Sequence, residues 1–152
     1  MSACLLGKPC RYDGKSVPCE AVKELAKKAE LIPVCPEVLG GLPTPRPPCE
    51  IVNGRVIDCN GTDKTDAYQC GAQEALKIAK ENDCTIAILK EKSPSCGCGI
   101  IHNGKFDGGL VSGNGVTAQL LLKNEIAVYG ESRIKEAGVA GLKSKTIAPQ
   151  KG

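Results

Sequence analysis

Four short apolar runs, Ser2 to Leu6, Leu31 to Cys35, Thr85 to Leu89 and Ile126 to Tyr129, are separated by segments whose apolar residues recur at helical spacing. Runs of this length suit buried strands, and strands that alternate with helices are joined by crossovers rather than tight turns. The pattern predicts an α/β fold: a three-layer, Rossmann-like, mostly parallel sheet covered on both faces. Ser16, with Pro18 in the first turn, caps a first helix through Val22, Leu25, Ala26 and Ala29. Asp63 or Thr65 caps a second, running to about Asn82, with Ala72, Ala75, Leu76 and Ala79 on one face, and a third covers about Val116 to Asn124. Asn53-Gly54, between Ile51-Val52 and Val56-Ile57, and Asn103-Gly104 predict two β-hairpin insertions. The proline-dense stretch from Gly40 to Pro48 reads as a stiff loop.

At 152 residues and 41% hydrophobic content the chain supports one core, mainly aliphatic because Trp is absent and Phe and Tyr are scarce. The expected division is one domain over residues 1–132 and a basic C-terminal tail over 133–152. Arg133, Lys135, Lys143, Lys145 and Lys151 face only Glu136 there, five against one, which leaves the preceding residues about neutral. Such a tail can touch RNA phosphates, although a solvated terminus is the plainer expectation. The N-terminus lacks the basic and apolar stretches of a secretory signal, and no run is long enough to cross a bilayer. A cytoplasmic protein with no membrane partner is expected.

Ten cysteines in a chain of this length, without a secretory signal, are expected to be mostly reduced, and paired C-x2-C zinc motifs are missing. Cys4, Cys35 and Cys96 stand at or just past the ends of separate apolar runs. Ligands of parallel sheets gather beyond the carboxyl ends of the strands, so these three can converge. Three thiolates on a four-iron cluster leave one iron without a protein ligand, which suits chemistry better than electron storage. The bland alternative is three buried small hydrophobes. Cys10 is a rival fourth ligand, and Cys98, close enough to Cys96 to compete for iron, is read as auxiliary. Cys19, Cys49, Cys59, Cys70 and Cys84 are expected to pack.

The phrases Ser2-Ala3-Cys4-Leu5-Leu6-Gly7, Cys10-Arg11-Tyr12-Asp13-Gly14, Val34-Cys35-Pro36-Glu37, Gly40-Gly41-Leu42-Pro43-Thr44-Pro45-Arg46, Ala87-Ile88-Leu89-Lys90 and Ser93-Pro94-Ser95-Cys96-Gly97 resemble the thiouracil desulfidase family, in order, from Ser2 to about Glu131. The resemblance implies a four-iron, four-sulfur cluster held by Cys4, Cys35 and Cys96 that removes sulfur from 2- or 4-thiouracil without net redox change. It also makes Glu37 and Ser93 candidates for proton handling and substrate positioning. Relatives with an additional C-terminal domain act on 4-thiouridine in transfer RNA; here a short tail stands in that place.

Read as residues alone, Glu37 can cap the next turn or pair with Arg11 or Arg46, and Ser93 can be a turn residue before Pro94. Gly113-Asn114-Gly115-Val116-Thr117 precedes a helix, and its N–H groups can hold a carbonyl, sulfide or phosphate. His102 is expected at the surface of the second hairpin. The leading expectation is hydrolytic desulfuration of a small thiolated pyrimidine such as thiouracil, giving uracil and sulfide. The alternatives are an iron–sulfur redox carrier or sensor, favoured if four cysteines ligate, and action on thiouridine in RNA.

Overall fold

The computed structural model describes residues 1–137; most of the expected basic tail lies outside the described residues. Only Ser2 of the first apolar run pairs as a strand, in a parallel bridge to Val34. Ala3–Leu6 then winds into a 3-10 turn that Gly7 ends at φ 93, a left-handed value open to glycine. The expected strand through Leu6 is thereby corrected: the turn buries the consecutive side chains Ala3, Cys4 and Leu5, which strand alternation would not allow.

The first helix, α1 (Glu20–Ala26), begins later than the Ser16 cap suggests, with extended Cys19 as its N-cap. A single-turn helix, α2 (Pro36–Leu39), follows Cys35 directly, with Pro36 in the first position. Strands β1 (Cys49–Val52) and β2 (Arg55–Asp58) form the first expected hairpin, and Asn53 and Gly54 both have positive φ as its two-residue turn requires. Helix α3 (Thr65–Glu81) comes next, its Thr65 N–H donating to Asp63 Oδ1 at 2.8 Å.

After β3 (Ile86–Leu89), strands β4 (Ile100–His102) and β5 (Leu110–Ser112) make the second hairpin. Its connection is a loop over residues 103–109 rather than a tight Asn-Gly turn, closed by Asn103 N–H to Gly109 O at 2.9 Å. Helix α4 (Val116–Lys123) and strand β6 (Ala127–Gly130) come next, and a 3-10 turn over Glu131–Arg133 follows directly.

Among the described residues the regular ladders are three two-stranded sheets, of which β3–β6 is parallel. The parallel pair is extended by single contacts: Ser2 N–H donates to Ile88 O at 2.9 Å, while Ala3 N–H donates to Val34 O at 2.7 Å. Segments near Val34, Ser2, β3 and β6 therefore lie side by side, but only the last two share a full ladder. The expected wide sheet is narrower because the first two runs turn away after one or two residues.

Strand alternation in β3 divides the core. Ile86 and Ile88 join Val22 and Leu25 of α1, whereas Ala87 and Leu89 join Leu76, Ala79, Ala118 and Leu121 of α3 and α4. Burying side chains such as Ile88 and Leu89 completely contributes about 1.5–3 kcal/mol each. Ile134 and Ala137 are buried in the α1-side cluster, so the packed core continues past residue 132.

Candidate functional site

Three backbone devices deliver the cysteines. Ser2 is bridged to Val34 on one side, while on the other its Oγ accepts the Lys90 N–H at 2.8 Å. The segments bearing Cys4 and Cys35, and the end of β3, are thus tied together around one residue. Cys35 is held by α2, which crosses α3 with no room for side chains: a Cβ on Gly71 would overlap the Pro36 carbonyl, and one on Gly40 the Ala67 carbonyl. The Cys96 loop is fixed by Ser93, whose Oγ accepts the N–H groups of Ser95 at 3.0 Å and Cys96 at 3.1 Å.

Helix α4 grips the same loop. Its N-terminal region donates Gly115 N–H to Gly97 O at 2.7 Å, Val116 N–H to Pro94 O at 2.8 Å and Thr117 N–H to Ser95 O at 2.9 Å. The anion cradle expected over Gly113–Thr117 is corrected by these bonds, because peptide carbonyls of the cysteine loop already take the Gly115, Val116 and Thr117 donors. A Cβ on Gly115 would lie 2.5 Å from the Ser95 carbonyl, so glycine is required for this approach. The Ser95 and Thr117 hydroxyls lock the contact from within at 2.9 Å.

Cys4, Cys35 and Cys96 line one cavity of about 520 Å³, together with Glu37 and Ser93. Burial, then the neighbouring Cys35, pushes the Cys4 thiol up to about 11. Burial is also the main cause that lifts Cys96 to about 12, with Glu37, Cys35 and Cys4 adding to it. Each pair among the three thiols therefore interacts. Yet among the described residues no three His, Cys, Asp or Glu side chains converge as a site for a single metal ion. An all-sulfur donor set around an open space fits an iron–sulfur cluster, whose positive iron atoms would draw the protons off these thiols.

Cys10 also lines the cavity, and Cys35 Sγ lies 3.7 Å from the Cys10 carbonyl oxygen. Burial first, then Cys35, pushes the Cys10 thiol up to about 12. Cys98 is directed elsewhere, with Sγ 3.8 Å from Val128 O. Cys59 and Cys70 are exposed, which corrects the expectation that they pack; Cys59 and the buried Cys49 both line the cavity.

Arg46 is the partner Glu37 takes, with Nε 2.9 Å from Glu37 Oε1, and Tyr68 donates its hydroxyl to the same oxygen at 2.9 Å. Arg11 pairs instead with Asp13 at 3.6 Å. The buried Arg46 guanidinium makes four hydrogen bonds among the described residues, donating also to Pro43 O, Thr44 Oγ1 and Cys10 O. Burial opposes its charge, but Glu37 more than offsets this and holds Arg46 above its ordinary value. Burial, reinforced by Glu37, drives the Tyr68 hydroxyl far above its usual range, so it remains a proton donor.

Tyr68 was not among the expected site residues; its signal is a single aromatic with a polar tip on the alanine-rich face of α3. Lys90, paired with Glu131 Oε2 at 2.8 Å, also lines the cavity. His102 is corrected from a surface residue to a half-buried cavity residue, because the hairpin folds back over β1. Its Nδ1 is the one buried side-chain nitrogen or oxygen without a hydrogen-bond partner among the described residues.

The chain is 39% identical over 146 residues to Uncharacterized protein YbbK of Bacillus subtilis (strain 168), covering 90% of this chain and 97% of that one. Its fold matches the solved structure of a 4Fe-4S-dependent thiouracil desulfidase, TudS, with a TM-score of 0.86 and 42% identity over 91% of this chain and 93% of the other. The family model described as 2-thiouracil desulfurase matches residues 1–133, which span all three cavity cysteines and Glu37, and the chain belongs to that family.

Proposed function

We propose that this protein removes sulfur from thiolated pyrimidines such as 2-thiouracil, giving uracil and sulfide by hydrolysis. It would do so with a four-iron, four-sulfur cluster held by Cys4, Cys35 and Cys96. The observation that carries the reading is the placement of three thiols from three distant segments beside a carboxylate in one cavity. When bound through only three protein thiolates, the cluster supplies an iron with an open position, a Lewis acid for the thiocarbonyl sulfur.

The remaining work falls to side chains. Arg46 and Tyr68 both occupy Glu37 Oε1, which leaves Oε2 without a protein partner among the described residues. Glu37 Oε2 takes a proton from the water that attacks the thiolated ring carbon. The C–S bond breaks as the C–O bond forms, water and thiouracil become uracil and hydrogen sulfide, and no electrons enter or leave. Ser93 acts through the Cys96 loop, since its Oγ already accepts two N–H groups there. Cys10 stays off the iron.

The segments near Val34, Ser2, β3 and β6 form a contracted Rossmann-like, three-layer arrangement in this reading, and the catalytic domain, expected over residues 1–132, extends at least through the buried Ile134 and Ala137. The protein works in the cytoplasm on a free base, and thiolated RNA is the lesser substrate. Anaerobic reconstitution followed by incubation with 2-thiouracil tests the proposal. Equal yields of uracil and sulfide without an added electron donor are expected, whereas a dependence on reductant would overturn the hydrolytic assignment.

A further inference from the structure

The chain has four aromatic side chains, three Tyr and one Phe, and Tyr12, Tyr68 and Phe106 line the same cavity. Tyr68 commits its hydroxyl to Glu37, and Tyr12 carries the Arg11 guanidinium 5.7 Å from its ring centre. Phe106 has no such engagement. Its residue is 39% exposed, although it lies in the loop of the β4–β5 hairpin that folds over the site.

The backbone of Phe106 has φ 56, a left-handed conformation that is costly for a bulky residue. A carboxylate from another strand holds it there. Glu50 Oε1, on β1, accepts the N–H groups of Gly104 at 2.9 Å and Phe106 at 3.2 Å. Glu50 is buried at 8% exposure and lines the cavity too. The loop also rests directly on β1, where a Cβ on Gly104 would lie 2.6 Å from the Ile51 carbonyl oxygen.

A strained residue persists where its surroundings enforce it, and this enforcement leaves an aromatic ring open at a cavity rather than packed in a core. We propose that Phe106 is a substrate-recognition residue whose ring stacks on the pyrimidine, and that Glu50 is the positioning residue that holds the hairpin loop in place. The identity of the ring rests on the desulfuration reading; the stacking face itself rests on the loop geometry. A planar heterocycle matches a π face irrespective of its substituents, so Phe106 serves thiouracil and uracil alike. His102 of the same hairpin adds the unpartnered Nδ1 to this wall.

The test uses cluster-loaded protein and two readouts: steady-state kinetics with 2-thiouracil, and calorimetric binding of uracil. Phe106→Ala should raise both KM and the uracil Kd by about 5- to 140-fold, the equivalent of ~1–3 kcal/mol for one stacked base. Cluster absorption and kcat should change little, and Phe106→Tyr, which keeps a π face, should restore binding. Glu50→Ala should reproduce the rise, Glu50→Gln should spare it because the amide oxygen still accepts, and the double variant should be no worse than Phe106→Ala.

Unchanged KM and uracil affinity in Phe106→Ala would overturn the inference, as would a fall in kcat alone. If the parent binds uracil through Phe106 yet releases no sulfide from thiouracil, the desulfuration reading fails and the stacking face stands. A parent that desulfurates thiouracil with Phe106→Ala unaffected has the opposite meaning.

Discussion

Glu37 receives Arg46 Nε and the Tyr68 hydroxyl on one and the same oxygen, Oε1, each at 2.9 Å. The carboxylate is thereby held in a fixed orientation by two donors, both on the same oxygen. Glu37→Gln keeps an oxygen for both donors but has no base. It should retain fold and cluster and lose about 10²–10⁴-fold in kcat, the usual worth of general-base assistance. Turnover within a few-fold of the parent would remove Glu37 from the mechanism.

Replacing Cys4, Cys35 or Cys96 by Ser should each lower iron and inorganic sulfide content after anaerobic reconstitution. Cys10→Ser should retain the cluster although Cys10 lies beside Cys35. Cys70→Ser, at an exposed position outside the cavity, is the matched control. Loss of cluster in Cys10→Ser alone among these controls would make Cys10 a fourth ligand and favour a redox carrier.

Gly71→Ala should destabilise the fold by about 1–3 kcal/mol, the usual cost of overpacking, because the new methyl meets the Pro36 carbonyl beside Cys35. Gly115→Ala should act on the other side of the cavity by displacing the Cys96 loop. Urea denaturation reads the first effect and cluster content the second. An unchanged denaturation midpoint for Gly71→Ala would refute the close crossing of α2 and α3.

Asp63 provides a pH dependence unrelated to the site. Hydrogen bonds from the Thr65 side chain and backbone, followed by Arg55, lower its pKa from 3.8 to about 2. The folded value lies below the unfolded one, so the stability contributed is complete well above pH 3.8 and is lost as pH falls through about 2. Asp63→Asn should flatten the denaturation midpoint across that interval, and a parent-like slope would assign the acid sensitivity to other groups.

Truncation distinguishes the core from the tail. Ending the chain at Gly130 removes the buried residues Ile134 and Ala137 and should destabilise the domain. Ending it at Ala137 keeps both and should leave turnover of free thiouracil within a few-fold. If the removed lysines grip RNA, the same truncation should selectively weaken action on thiolated RNA and reduce its salt dependence. A strong RNA-specific loss in a direct comparison would overturn the preference for a free base.

The sequence by itself determined the elements whose signals are local. The apolar face of α3, the Asn53-Gly54 turn and the buried run of β3 are each specified by neighbours along the chain, and the structure forms all three. Motif order singled out Cys4, Cys35, Cys96 and Glu37, which share one cavity. Tertiary structure decided what depends on distant backbone. Ser2 to Leu6 has strand-like composition, yet one bridge to Val34 is followed by a 3-10 turn that buries Cys4 and Leu5. The donors at Gly115 look free in sequence but are consumed by the Cys96 loop, and His102 and Phe106 reach the cavity because Glu50 holds the loop of their hairpin. Periodicity records which face of an element is apolar; it carries no information about which remote carbonyl or carboxylate will meet a given N–H, and those meetings position the site.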